Sequence, residues 1–191
     1  MQILRQRARG WWSAAHRWIG DLRDDAAGVA AVEFAVILPL MLMFYLGTVE
    51  VTQAVRANAK VASAADTVGN LVTRLKTIDD TSLGNIFAIS SAILNPFPTA
   101  DLKLVVTAVR IDDKGKGTVH WSKGDHGTTI KAGDTYPVPA TLQQFTNSYF
   151  VVSTATYAYR PTVRYTGTIG AMTFEHSNIF RPLKSLEVTP K

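Results

Sequence analysis

A run of 22 residues near the start of the chain constrains the fold more than any other feature. Residues 28–49 read GVAAVEFAVILPLMLMFYLGTV and contain one ionisable side chain, Glu33. As a helix rising about 1.5 Å per residue, the run would extend roughly 33 Å, which is enough to cross the hydrocarbon core of a bilayer. No polar stripe with the 3.6-residue period of an amphipathic helix interrupts it from Phe34 to Leu46. The run is therefore predicted to be a transmembrane helix.

The composition of the rest of the chain excludes several classes of protein. Cysteine is absent, so disulfides, thiolate metal sites and thiol catalysis are excluded. The net charge of +5 is spread along the chain, because Lys and Arg outnumber Asp and Glu by 5 to 3 in residues 1–28 and by 15 to 12 in the remainder. Such an even balance does not predict a nucleic-acid-binding surface.

An ordinary secretory signal is one interpretation of the apolar run. Such a signal has an apolar stretch of about 7–15 residues and a cleavage site of the form small-x-small, and Ala57-Asn58-Ala59 matches that form. The polar leader of 27 residues, the longer apolar run, and the charged residues Glu50 and Arg56 before the site disfavour this interpretation.

The second interpretation depends on the acid inside the run. A basic leader that ends in Gly28, with Val29 next and with Glu33 and Phe34 at the fifth and sixth positions of the apolar helix, resembles the processing site of type IV prepilins. The resemblance implies that a prepilin peptidase cuts after Gly28 on the cytoplasmic side. Val29 would then become the first residue of a helix that stays in the membrane, and Glu33 and Phe34 would take part in subunit assembly.

Physical chemistry offers a purpose for this spacing. A carboxylate at the centre of a bilayer costs roughly 2.5–3.5 kcal/mol. Cleavage would leave an α-ammonium group on Val29, and a neighbouring subunit shifted along the helix axis could place that group beside Glu33, which would offset the burial of both charges. Alternatively, Glu33 lies near the headgroups and reaches water.

A longer segment narrows the resemblance to one family. Residues 26–72 resemble the TadE-like pilus assembly proteins, which are minor pilin-like components of the tight-adherence (Flp) pilus system. The residues that carry the resemblance are Gly28, Ala31, Val32, Glu33, Phe34, Ala35, Leu38, Pro39, Gly47, Glu50, Ala54, Ala62, Ala65 and Asp66. It implies a non-catalytic pseudopilin-like subunit whose partners are the prepilin peptidase, other pilin-like subunits, the assembly machinery and membrane lipid. It also implies an inner-membrane protein with a cytoplasmic N-terminus and a periplasmic C-terminal domain, and leaves open whether the protein enters the pilus.

The helix is predicted to continue beyond the membrane to about Lys76. Apolar side chains recur at Val61, Ala65, Val68, Val72 and Leu75, at steps of four and three residues, which is the spacing of one narrow helical face. This face either packs on the chain's own domain or also meets other subunits. Within the membrane-spanning part, Pro39 removes one backbone donor and is predicted to kink the helix, which lipid-embedded helices tolerate.

Residues 77–191 have the character of an α+β domain. The predicted elements are a helix over 82–95 capped by Thr81-Ser82 and stopped by Pro96, a hairpin of strands 102–111 and 118–123 joined by the turn-rich residues 112–117, a short helix at 141–146, a long strand from 149, and a last strand at 172–180. In the long strand, Ala155, Tyr157 and Tyr159 are predicted to share one face. The fold class is thus a pilin-like α+β arrangement, in which a long N-terminal membrane-spanning helix continues as a stalk and packs against an antiparallel sheet of three or four strands.

The predicted organisation is a leader at 1–28, a transmembrane helix at 29–50, an amphipathic helix at 51–77 and a domain at 78–191. No phosphate-binding loop, no metal-binding motif and no nucleophile motif is present, so no cofactor, metal or enzymatic activity is expected. One alternative stays open: a single-pass membrane-anchored module whose periplasmic domain binds a ligand or partner.

Overall fold

The computed structural model describes residues 26–161, 171–183 and 187–190, so residues 1–25 of the predicted leader lie outside the described residues. The chain divides into two compact units between Val49 and Glu50. The elements in chain order are α1 (Ala26–Thr73), β1 (Thr77–Ile78), α2 (Asp80–Ala92), β2 (Leu102–Ile111), β3 (Gly117–Asp125), β4 (Thr135–Tyr136), α3 (Ala140–Gln143), β5 (Ser148–Tyr159), β6 (Met172–Phe180) and β7 (Thr189–Pro190).

The first element is one helix of 48 residues that passes through Pro39 without interruption. The predicted long N-terminal helix is confirmed, but its predicted end at Lys76 is wrong by three residues. The backbone N–H groups of Arg74 and Leu75 bond to the carbonyls three residues earlier, at 3.3 and 3.1 Å. This tighter last turn ends the helix, so Leu75 lies beyond it.

The main sheet has five antiparallel strands in the order β4-β3-β2-β5-β6. The predicted α+β class and the β2–β3 hairpin are confirmed. In the turn of this hairpin, the Asp112 carboxylate accepts hydrogen bonds from the backbone N–H groups of Lys114 and Lys116 at 2.9 and 2.8 Å. Gly115 in the same turn adopts a positive φ of 78°. The predicted number of three or four strands is wrong, because the two-residue β4 is too short to show the alternation that identifies a strand.

A second, two-stranded sheet pairs β1 and β7 in parallel. The predicted strand 172–180 has the observed bounds of β6, yet it is not the last strand, since β7 follows. The predicted cap of the short helix is also wrong. Asp79 caps α2 by accepting the Ser82 N–H at 2.6 Å, and the helix ends at Ala92. The helix predicted at 141–146 is the single turn α3.

The core of the second unit lies between the helices and one face of the sheet. The predicted apolar face of α1 is buried here, because Val61, Ala65, Val68 and Val72 have no exposed surface. The sheet contributes the odd-numbered side chains of β5, and the predicted common face of Ala155, Tyr157 and Tyr159 is confirmed by their burial. Further core residues come from α2 and β2, namely Leu83, Ile86, Phe87, Leu104, Val106 and Ala108.

Strand β6 contacts α1 through its even-numbered side chains. His176 Nε2 lies 2.8 Å from Asn58 Oδ1, and the Asn178 amide donates to Asp66 Oδ1 at 2.7 Å. One more contact is steric, because a β-carbon added to Gly69 would lie 2.0 Å from Cε2 of Phe180. Only glycine therefore lets the helix approach this ring so closely.

We expect Gly69→Ala to destabilise the protein, because the Phe180 ring must move to admit the methyl group. Overpacking of this kind costs about 1–3 kcal/mol, and the helix propensity of alanine offsets about 0.5–1 kcal/mol of that cost. Gly84→Ala is the matched control: Gly84 lies inside α2 with no atom within 4 Å of the added carbon, so the better helix propensity of alanine should stabilise by about 0.5–1 kcal/mol. Denaturant unfolding of the full chain in detergent micelles, followed by circular dichroism, measures both. Equal shifts of the two variants would contradict the close contact.

Candidate functional site

The first unit presents an apolar helix surface that no other part of the described chain covers. Its large apolar side chains are between 39% and 70% exposed. They are Val29, Val32, Phe34, Val36, Ile37, Leu38, Leu40, Met41, Leu42, Met43, Phe44, Tyr45, Leu46 and Val49. An 18-residue window of α1 has a mean hydropathy of 2.3, and none of it is buried. Soluble proteins rarely expose an apolar surface of this extent. By length and composition, α1 can cross a membrane once, which indicates a single-pass membrane anchor.

The residues that the sequence singled out lie in the early turns of α1. Gly28 is half-buried, whereas Val29, Glu33 and Phe34 are exposed. Val29 and Glu33 are four positions apart in the helix, so they lie on the same face about one turn apart. Pro39 lies inside the same helix, six residues after Glu33. In the described part of the chain no side chain pairs with Glu33, and exposed apolar side chains precede and follow it along the helix.

A second acid of α1, Glu50, has the opposite environment at the start of the second unit. It is only 7% exposed, and the Tyr159 hydroxyl donates to Glu50 Oε1 at 2.5 Å. The Tyr159 ring contacts Phe97 edge-on at 6.1 Å between centroids and stacks on Phe174 at 5.8 Å. Burial, and then the hydrogen bond and the charge of Glu50, raise the pKa of Tyr159, so the hydroxyl keeps its proton and donates to Glu50.

The Glu50–Tyr159 pair was not found from the sequence. Glu50 entered as a charged residue after the apolar run and as one of the residues that carry the family resemblance, and Tyr159 only as one residue on a common face of its strand. The two residues are 109 positions apart, and no local pattern connects them. The available signal was the position of Glu50 directly after an apolar run, where a carboxylate needs a donor.

We expect Tyr159→Phe to lower the free energy of unfolding by about 1.5–3 kcal/mol, because a buried carboxyl group loses a hydrogen bond. The control is Tyr157→Phe: Tyr157 is equally buried on the same face of β5, and its hydroxyl has no hydrogen-bond partner among the described residues. Its loss should cost less than about 1 kcal/mol. Denaturant unfolding in detergent micelles separates the two variants, and similar costs would show that the Glu50 contact contributes little.

The segment 187–190 is fastened to the sheet by a buried polar cluster. The carbonyl of Val188 accepts hydrogen bonds from Trp121 Nε1 and from the Tyr149 hydroxyl, both at 2.7 Å. Trp121 Nε1 also lies 3.1 Å and His120 Nδ1 lies 3.0 Å from the Tyr149 oxygen. Because burial dominates, the pKa of Tyr149 is raised to about 12.

A bulge in β3 makes this cluster possible. The β2–β3 ladder pairs Val109 with Val119 and Ala108 with Trp121, so His120 is an extra residue without a partner across the ladder. A bulge changes the alternation of side chains between the two faces, and both His120 and Trp121 reach the Tyr149 hydroxyl. Sequence alternation alone assigns neighbouring residues to opposite faces and therefore does not predict this cluster.

Two further contacts hold the same segment. Glu187 accepts hydrogen bonds from Arg110 Nε and Nη2 at 2.9 and 2.6 Å, and this pairing lowers the pKa of the Glu187 carboxyl. Beyond Val188, the N–H of Thr189 donates to the carbonyl of Lys76 at 3.3 Å, and β7 pairs with β1. The segment thus connects the main sheet to the residues that follow α1.

Alkaline pH should weaken this attachment through Tyr149. Its pKa in the folded protein, about 12, lies above the ordinary value of 10, so its contribution to stability is complete below pH 10 and is lost as the pH rises through 12. Wild type should melt above Tyr149→Phe at pH 9, and the gap should narrow toward pH 12. Melting curves in micelles at both pH values measure this, and a constant gap would contradict the assignment.

Potential metal-ligating side chains do not cluster in residues 26–161, 171–183 and 187–190. No three His, Asp or Glu side chains there lie close enough together to hold a metal ion. Of the two histidines of the hairpin region, His120 belongs to the Tyr149 cluster, and His126 pairs with its neighbour Asp125 at 2.9 Å.

Comparison with known proteins bears on α1. Residues 28–69 match a family model described as TadE-like protein. The chain carries a TadE-like segment. This segment begins at Gly28, contains Glu33, Pro39 and Glu50, and ends at Gly69, so the resemblance predicted from the sequence is confirmed for these residues. It covers less than a quarter of the chain. No curated protein and no solved structure matches this chain.

Proposed function

We propose that this TadE-like chain is a non-catalytic, pseudopilin-like component of a tight-adherence pilus assembly system. A prepilin peptidase cleaves it after Gly28, and it assembles with other pilin-like subunits through its N-terminal helix. The observation that carries the proposal is a coincidence of three features in one element: the TadE-like match, the exposed apolar surface of α1, and an acid four residues after the proposed new terminus.

The contrast between the two acids of α1 supports an intermolecular role for Glu33. Glu50 is buried and accepts a hydrogen bond from the Tyr159 hydroxyl of its own chain. Glu33 is exposed, and no described residue pairs with it. In lipid a carboxylate needs a partner, and an α-ammonium group on Val29 of a neighbouring subunit would supply one. The charge of that terminus arises only after cleavage, so processing and assembly are coupled.

The same proposal places the protein in the bacterial inner membrane, with the residues before Gly28 in the cytoplasm and the second unit in the periplasm. Close to the apolar run, the number of positively charged residues before it exceeds the number after it by one, which favours this orientation. Within 20 residues of the apolar run, Arg9, Arg17 and Arg23 precede it, whereas Arg56 and Lys60 follow it. The exposed apolar side chains of residues 29–49 contact lipid before assembly and other subunits after it.

Processing is tested by determining the N-terminus of the protein from cells with active prepilin peptidase. We expect Val29 as the first residue in wild type and an uncleaved chain in Gly28→Ala. Gly47→Ala is the control within the same helix, since an added carbon at Gly47 meets no atom within 4 Å, and it should be processed normally. A wild-type protein that starts at Met1 or Gln2 would contradict the proposal.

Assembly is tested with Glu33→Ala, which should be cleaved normally but should reduce surface pili strongly, because the buried terminus loses its partner. Val36→Leu, which exchanges one exposed apolar side chain of the same helix for another, is the matched control and should support pili. Electron microscopy and quantification of sheared fibres measure the effect. Normal pili from both Gly28→Ala and Glu33→Ala would refute the proposed mechanism.

A membrane-anchored binding module is the second candidate, and one observation favours it. The second unit has its own core and contains a cleft of about 550 Å³. In that case α1 before Val49 is only a tether, and an unrelated membrane helix in place of residues 1–49 should preserve function. The pilus proposal expects loss of function from the same replacement, so this exchange separates the two.

A further inference from the structure

A polar cleft lies at one end of the main sheet, wholly within the second unit. Its volume is about 550 Å³, and it is bordered by the end of β2, the start of β5 and the residues that follow β6. Arg110, Arg181, Asn147, Tyr149 and Glu187 supply its polar lining. Two guanidinium groups face one carboxylate here, so these side chains carry a net positive charge.

The two arginines differ in how their charge is used. Arg110 is paired with Glu187 through two hydrogen bonds, and its charge is therefore largely compensated. Arg181 takes part in none of the ion pairs in the described part of the chain. Its guanidinium carbon lies 4.8 Å from the ring centroid of Phe145 and 5.2 Å from that of Phe150.

These rings contact the Arg181 guanidinium but have no oxygen or nitrogen acceptor for its donors. The two rings contact each other edge-on at 6.5 Å between centroids, and so form a joint support. A cation–π contact uses the charge of a guanidinium group and leaves its N–H groups without an oxygen or nitrogen acceptor. The donors of Arg181 thus remain available to a ligand, in a geometry that matches two oxygens of one acid group.

Asn147 adds a neutral donor to the same cleft. It sits in the turn before β5 with a positive φ of 53°, a conformation that asparagine tolerates better than most residues. Its backbone N–H bonds to the carbonyl of Asp112 at 3.4 Å. That bond leaves the exposed side-chain amide beside the cleft.

We propose that this cleft binds the oxyanion of a ligand, a carboxylate or phosphate group, through paired hydrogen bonds from Arg181, with Asn147 as a neutral donor. The Arg110–Glu187 pair also borders the cleft. The Glu187 carboxylate would repel a second acid group of the ligand, so the site is limited to one. This site is separate from the helix surface of the pilus proposal, and its test does not depend on processing at Gly28.

The test follows arginine side chains by NMR in the full chain, labelled with ¹⁵N-arginine in detergent micelles. The probes are inorganic phosphate and a diglutamate peptide with blocked ends, each titrated at constant ionic strength. We expect saturable shifts of the Arg181 and Arg110 Nε–Hε signals with at least one probe, and no saturable shift of Arg74, which is exposed and belongs to no ion pair in the described residues. The probe that saturates at the lower concentration identifies the acid group.

Variants decide whether Arg181 carries the binding. With Arg110 as the reporter, Arg181→Gln should weaken binding roughly tenfold or more, since a charge-assisted pair of hydrogen bonds is lost. Arg181→Lys should bind with intermediate affinity, because lysine keeps the positive charge but lacks the paired donors of a guanidinium group. Arg74→Gln should bind like wild type. Absence of a saturable shift with both probes, or equal affinity of Arg181→Gln and wild type, would overturn the proposal. Equal affinity of Arg181→Lys and wild type would refute paired hydrogen bonding.

Discussion

The burial of one face of α1 against the sheet is the interaction on which the second unit depends. This face consists of small and β-branched residues, from Ala57 to Val72, that have no exposed surface. Alanine lets the helix backbone approach closely, and at Gly69 the approach is closer than any side chain permits. Because β5 and β6 provide the opposing surface, residues more than 80 positions apart in the chain form one core.

The same helix carries two acids whose surroundings differ in kind. Glu50 has its hydrogen bond from Tyr159 inside the folded unit, where aromatic rings exclude water. Glu33 lies on a helix surface whose large apolar side chains are exposed, and no described residue compensates its charge. A buried acid stabilises its own fold only when a donor is near. The proposed function assigns to Glu33, which has no donor among the described residues, a contact with another subunit.

Residues 187–190 contact both the main sheet and the residues that follow α1. The segment 187–190 contributes a carboxylate to Arg110, a carbonyl to Trp121 and Tyr149, and a strand to β1. These contacts join β2, β3 and β5 to the residues after α1. They also form one boundary of the polar cleft, so the stability of this attachment and the shape of the cleft depend on the same Glu187 side chain.

The sequence by itself determined the features that repeat or accumulate along the chain. The long apolar run, the helical face from Val61 to Val72, the hairpin with its Asp112 turn and the long strand β5 follow from local periodicity and turn chemistry. The family resemblance likewise depends on residues of a single helix. Tertiary structure alone decided the features that join distant positions: the Glu50–Tyr159 contact, the bulge that directs His120 and Trp121 to one hydroxyl, the β1–β7 pair, and the rings that support Arg181. Local patterns report how a segment meets water or apolar surroundings, whereas a specific polar partner depends on how the chain folds back on itself.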